Sequence, residues 1–505
     1  MSFTSFQFIF VFLPVCYAGF LLCHRYGGWT WATHFLAAAS LAFYGMFGLP
    51  LLLVLLGSIS FNYVASRAIV AQAENRGAAK LMLMGAIGAN LALLGYLKYT
   101  NFFIDVLNQL TGTSLAHHHL LLAIGVSFFT FIQISYLIDA FNRQLLPASF
   151  SRYVVFAGFF PCVTAGPLVM QREIMEQLHE RNDPAFDPRR LAIGLTMFGM
   201  GLFKKVVLAD SIAPYADVLF NGVAAGGAVD PVTAWLGAGC YTLQLYFDFS
   251  GYSDMAIGLG YIFGIKLPLN FDSPFKATNI SDFWRRWHMT MTRFFTNYIY
   301  SGLAMKGMRS EASRKGALPR FVLVAAIPAI LTFSVAGLWH GAGWTFALYG
   351  LLHGVAIAAY LGWREFSPIR LPESAAWLLT MCVVVTGLVI FRAADLPTAG
   401  VILGNMWGLS FLGIVDGSVA AAGLDIGRAL SFIILLGAIV LLLPNTQQIL
   451  HRDWPSSDTK PAATEARAGL LAWRPAFSGA FAVGFGYAVA LTSIGAGTGF
   501  LYYQF

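Results

Sequence analysis

His340 sits in LTFSVAGLWHGAG (Leu331–Gly343), an apolar, helix-like run in which that imidazole is the one titratable side chain. An ionisable group at membrane depth is costly unless it lines a cavity or has a partner. A neutral histidine is also the usual general base for taking a proton from a hydroxyl. Gly337, Gly341 and Gly343 beside it permit close approach of backbone or substrate. The plainer reading, a hydrogen bond gluing two helices together, stays open on pattern alone.

A second histidine, His288, lies in TNISDFWRRWHMTMTRFFTNYIY (Thr278–Tyr300). Asn279 and Ser281 are cap-type residues, and Phe283, Trp287, Met291, Phe294 and Tyr298 follow at steps of 3 and 4, which makes one helical face. Arg286, Thr290, Arg293 and Asn297 make a polar face. The spacing predicts one amphipathic helix lying in the membrane interface, with His288 at the border of its faces. An interfacial hydrogen bond would explain this histidine as well as chemistry would. Arg285 and Arg286 could fork onto phosphate groups or snorkel to lipid head groups.

Other polar groups gather nearby in the chain. QLYFDFSGYSD (Gln244–Asp254) carries Asp248, Asp254, Ser250 and Tyr246, whose carboxylates could orient a histidine, bind a cation or cap helix ends near Gly251. Lys204 and Lys205 end an apolar run and could steer an anionic donor or reflect topology. His353 follows His340 by 13 residues. On one continuous helix that is roughly 140° round and about 20 Å along, so His353 reads as structural. His117, His118 and His119 read as a solvated loop, and no metal site is expected. The five cysteines (Cys16, Cys23, Cys162, Cys240, Cys382) lack metal or redox spacing and read as small core residues.

The elements that must position these groups are transmembrane helices. The 505 residues are 58% hydrophobic and 11% charged, against about a quarter charged in soluble domains. A span needs about 20 mostly apolar residues, and such stretches recur from Phe6–Leu22 to Phe477–Ile494. The expectation is an all-α polytopic bundle of roughly 10 to 13 spans with interfacial or re-entrant helices, forming a single domain over 1–505. The first apolar stretch has no basic region before it and reads as a retained helix. A net charge of +7 could suggest nucleic acid, but Lys and Arg fall in short loops. The richest, Gln171–Arg190 and Lys306–Arg320, are expected on the cytoplasmic side. The segment 451–473 reads as a polar linker before a last helix. No repeat of transporter type is visible.

Taken in order, the blocks FFPCVTAGPLV (Phe159–Val169), GLFKKVVLADSIAPYAD (Gly201–Asp217), LQLYFDFSGYSDMAIGLGYIFGI (Leu243–Ile265), NFDSPFKATNISDFWRRWHMTMT (Asn270–Thr292), GLWHGAGWTFALYGLLHG (Gly337–Gly354) and FLYYQF (Phe500–Phe505) resemble the membrane-bound O-acyltransferase superfamily. The likeness is to its bacterial branch of the alginate O-acetylation type, with signature blocks about 150–365. It departs after the interfacial helix. Phe295-Thr296-Asn297-Tyr298 and Ser301–Met305 stand where relatives carry Arg-Asp-Tyr and a Pro-Leu-Gly-Gly-Asn-like loop.

The resemblance implies a helical bundle around a tunnel, with His340 as the catalytic histidine and His288 as its companion. Trp339, Trp287, Arg285, Arg286, Tyr246, Asp248, Ser250 and Asp254 are then read as substrate-contacting, and Lys204 and Lys205 as donor-binding. It implies acetyl transfer from acetyl-CoA, a donor rather than a tightly bound cofactor, to a hydroxyl of an extracytoplasmic polysaccharide. The setting would be the inner (plasma) membrane. The implied partners are membrane lipid, the glycan and a periplasmic or membrane-anchored acetyltransferase, with no nucleic acid. D-alanyl transfer to teichoic acid and a transporter with a histidine proton relay are the rival readings.

Overall fold

The computed structural model describes residues 1–118, 124–146, 148–179, 186–409, 424–450, 472–473, 476–495 and 499–501. The expected linker 451–473 falls almost wholly outside these residues, as do His119, Arg181 and the terminal residues 502–505. Among the described residues every regular element is helical. Seven helices are long and apolar enough to cross a membrane, and four shorter apolar helices (Val126–Phe141, Leu396–Met406, Ile426–Leu442, Phe477–Ser493) accompany them. Their outer faces expose large apolar side chains, among them Leu53, Leu81, Ile434 and Phe481. Apolar outer faces of this kind suit lipid rather than water. The chain is a multi-pass membrane protein.

The helices group into two compact units. The first comprises Met1–Leu202 and Tyr252–Leu269. Its core is aromatic: Phe3, Phe8, Phe43, Phe160 and Phe198 are all buried. A buried polar network ties its helices together. Asn62 and Asn90 exchange two amide hydrogen bonds of 3.0 and 2.7 Å. Gln133 donates to Ser58 Oγ at 2.9 Å and accepts from the Tyr153 hydroxyl at 3.3 Å. Reciprocal amide pairs satisfy groups that lipid could not.

Among the described residues the second unit comprises Phe203–Gly251 and those from Asn270 on. Its central motif is a helical hairpin. The helix Ile327–His340 ends at Gly341, the chain turns through Gly343, and Trp344–Phe366 returns. A Cβ on Gly337 would lie 2.7 Å from Gly350 Cα, and one on Gly350 would lie 2.3 Å from the Phe333 carbonyl oxygen. The two backbones touch where both residues lack side chains, the small-residue packing that membrane helices use in place of a hydrophobic driving force. His340 and His353 are therefore not on one straight helix, and the separation reckoned along such a helix does not apply.

The predicted amphipathic helix is also interrupted. Ile280–Arg286 and Met289–Phe295 are separate helices, and a wide π-type turn covers Thr296–Tyr300. The break falls at Trp287 and His288, whose backbone is left-handed (φ 44°, ψ 51°). The expected apolar residues Phe283, Met291 and Phe294 are buried, but Thr290, expected on the polar face, is buried as well.

Candidate active site

The break is held open from outside the helix. Asn270 and Asp272 run beside it: Met289 N donates to the Asn270 carbonyl at 2.9 Å, and Asp272 N donates to the Arg286 carbonyl at 2.9 Å. The Asn270 side chain closes the arrangement. Its Oδ1 accepts from Thr290 N at 3.3 Å and from the Thr290 hydroxyl at 2.8 Å, and lies 3.0 Å from His288 Nδ1. A backbone N–H can only donate, so the atom it meets is the amide oxygen. His288 Nδ1 must then carry its proton, and the neutral ring keeps its lone pair on Nε2. Burial holds this imidazole far below its ordinary range, at about 3, so it is neutral at physiological pH. A left-handed non-glycine residue costs energy and persists only where its surroundings fix it. Here Asn270 does so.

His340, the last residue of its helix, is brought to the same place. The two imidazole centroids are 6.3 Å apart, and both rings are buried, at 1% and 7% exposure. The walls are aromatic. Trp339 lies 4.9 Å from His340 and 6.0 Å from His288. Phe249 meets His288 edge-on at 4.7 Å. Phe391 and Tyr349 stand 5.3 and 6.1 Å from His340. Two buried imidazoles within an aromatic enclosure, one of them held neutral by burial, are placed to take a proton from a hydroxyl.

The other residues singled out from the sequence divide. Trp287 stacks with Phe283 at 5.6 Å and packs with Tyr246 at 6.3 Å and Phe271 at 5.1 Å, forming the aromatic floor next to His288. Arg286 pairs with Asp282 at 2.9 Å. Arg285 bonds the same carboxylate at 3.0 Å with a largely exposed side chain. Ser250 is buried in the second unit, whereas Asp254 belongs to the first.

Lys205 and Asp248 form their own assembly. Lys205 Nζ lies 2.8 Å from Asp210 and 2.6 Å from Asp248, and all three are buried or nearly so. It also donates to the Gly499 carbonyl at 3.2 Å and sits 5.2 Å from the Phe500 ring, while Asp248 accepts from Leu501 N at 3.2 Å. Lys204 donates to Thr446 at 2.8 Å. Among the described residues no group of three or more His, Cys, Asp or Glu is placed to hold a metal.

Sequence reasoning missed Asn270, Tyr349 and Phe391. Asn270 and Phe391 are distant in sequence from the histidines they serve, and Tyr349, nine residues after His340, meets it only because the chain turns back after Gly341.

Comparison with known proteins bears on this geometry. Residues 111–394 match the membrane-bound O-acyltransferase family. A peptidoglycan O-acetyltransferase from Helicobacter pylori is 38% identical over 81% of this chain and 80% of its own length. A probable alginate O-acetylase from Pseudomonas aeruginosa is 34% identical over 92% of this chain and 85% of its own. A teichoic acid D-alanyltransferase from Bacillus subtilis is more distant, at 27% identity over 53% of this chain and 67% of its own length.

Proposed function

The chain belongs to the membrane-bound O-acyltransferase family, and on that footing we propose that it moves acetyl from cytoplasmic acetyl-CoA to a hydroxyl of an extracytoplasmic glycan, with His340 as general base. The observation that carries the reading is the buried pair His288–His340 at 6.3 Å. In the reaction the acceptor O–H gives its proton to the His340 imidazole as oxygen attacks the thioester carbonyl. The C–S bond breaks, and the CoA thiolate leaves with the proton returned to it. His288, with its lone pair on Nε2, is suited to accept a hydrogen bond from a neighbouring hydroxyl of the glycan and so orient the one that reacts. It is not suited to donate to an oxyanion, because its one proton is committed to Asn270.

The acetylating relatives resemble the chain over more of its length and at higher identity than the D-alanylating one, which supports acetyl as the group moved. Their names span peptidoglycan and alginate, so the acceptor is proposed as a class, an envelope or exported polysaccharide hydroxyl. The hydroxyl is reached directly or through a periplasmic or membrane-anchored acetyltransferase partner, and the setting is the inner membrane. The deciding measurement is CoA release from labelled acetyl-CoA by purified protein. His340→Ala, at equal folded yield, is expected to lose at least about a hundredfold in rate, within the range a general base supplies. Wild-type turnover by that variant would sink the assignment, and glycan flux without thioester cleavage would favour a transporter.

A further inference from the structure

His353, on the returning helix Trp344–Phe366, is buried to 1% exposure. Its Nδ1 accepts the indole N–H of Trp284 at 3.2 Å, which places its own proton on Nε2. That edge of the ring lies over Gly387, where a Cβ would come within 2.5 Å of Nε2. The ring then touches both halves of the site. Through Trp284 it grips the short helix Ile280–Arg286, which leads directly into the left-handed His288. Through Tyr349, 4.7 Å away by ring centroid, it backs the wall that stands 6.1 Å from His340. Trp284 also packs at 4.9 Å on Phe333, a residue of the helix that ends in His340. One imidazole thus joins the element carrying His288 to the wall around His340.

We infer that His353 is a positioning residue for acyl transfer: its Nδ1 fixes Trp284, and through Trp284 and Tyr349 it sets the separation of His288 and His340. The inference rests on the reading of those two histidines as the reacting pair. Histidine suits the task because it combines an in-plane acceptor with an aromatic edge that packs on Tyr349. Phenylalanine would keep the packing and leave the buried indole N–H without its acceptor, a loss that is costly in a dry site. Asparagine would keep an acceptor near the Nδ1 position.

The test is steady-state CoA release per folded protein, with thermal unfolding recorded in the same detergent. His353→Phe is expected to lower kcat on the order of 10- to 100-fold, as small misplacements of reacting groups do, with KM for acetyl-CoA within about twofold. Trp284→Phe should do the same, and the double variant should be no worse than either single one, because both remove one contact. His353→Asn should recover most of the rate. Gly387→Ala, which pushes on the ring without altering its chemistry, serves if His353→Phe folds poorly, and should also lower kcat at constant KM.

A wild-type kcat in the folded His353→Phe or Gly387→Ala protein would overturn the inference, as would multiplicative losses in the double variant or an asparagine variant as slow as the phenylalanine one. A merely structural role would lower the unfolding temperature and spare kcat. His340→Ala run in parallel separates the two failures. If it is inactive while His353→Phe is unimpaired, only the positioning role falls. If it turns over normally, the reacting pair was misassigned.

Discussion

Asn270 does three things with one oxygen: it caps Thr290 twice, accepts from His288 Nδ1 and so fixes which nitrogen of that ring can meet substrate. Asn270→Ala leaves these donors buried and unmatched, at about 1–3 kcal/mol for each unpaired group, and frees the left-handed His288. We expect at least a tenfold fall in CoA release and a lower unfolding temperature. Asn270→Asp keeps every acceptor and adds a charge beside the ring, which raises the His288 pKa from its depressed value near 3. The sign follows: the aspartate variant should stay active at pH 8 and lose rate as the pH falls and His288 gains a proton, whereas the asparagine protein should show no titration of this ring above pH 5. A pH–rate profile of both proteins checks it; identical acid limbs would remove His288 from the site. His340 was legible in the sequence because an ionisable residue in an apolar run stands out, whereas His288, beside two arginines, was singled out chiefly by the family resemblance. Their neighbour Asn270 was not legible. An asparagine 18 positions upstream looks like any loop residue until the backbone shows what it holds.

At the level of helices, apolar spacing placed Phe283, Met291 and Phe294 on buried faces, but it put the buried Thr290 on the polar face and missed the break between Ile280–Arg286 and Met289–Phe295. Periodicity reports how side chains would line up on a helix. It carries no trace of the long-range backbone bonds from Asn270 and Asp272 that make a left-handed residue worth its strain. The hairpin Ile327–His340 and Trp344–Phe366 was hidden for a related reason. Gly341 and Gly343 were visible as places of close approach, but only the fold shows Gly337 against Gly350 as the crossing that aims His340 at its partner. This crossing is testable. Gly350→Val introduces a side chain where a Cβ alone meets the Phe333 carbonyl at 2.3 Å. Overpacking of this kind costs about 1–3 kcal/mol where neighbours can shift, and backbone is a poor neighbour to shift. The expected result is a lower unfolding temperature and a kcat loss exceeding that of an equally destabilising valine placed on the lipid-facing side of the same helix. Equal losses would mean that the crossing stabilises the unit without aiming the histidine.

Across the whole chain, the membrane class was legible because 58% hydrophobic and 11% charged residues leave no other solvent. Where spans begin and end was less so. Phe8–Gly45 is 38 residues long and folds at Gly28, whose φ of 66° interrupts the helix, so a single apolar stretch contains two limbs. Charge at depth was the hardest feature to read. Lys205 could be read as a donor-steering group or as a topology marker, and the structure offers a third use, a cation clamped between Asp210 and Asp248 with the backbone of Gly499 and Leu501 completing the cluster. The uses predict different failures. If Lys205 steers an anionic thioester, Lys205→Met raises KM for acetyl-CoA and leaves the unfolding temperature alone. If it neutralises a buried carboxylate pair, the same change leaves Asp210 and Asp248 facing each other without a cation, a loss of about 3–5 kcal/mol for a broken buried pair. The folded fraction should then keep its KM. Asp248→Asn should cost less than Lys205→Met, because Lys205 retains Asp210 and the amide oxygen can still accept from Leu501. Adding Asp248→Asn to Lys205→Met should recover part of the lost stability by removing one of the two stranded charges. A KM shift without an unfolding shift would return Lys205 to the donor path.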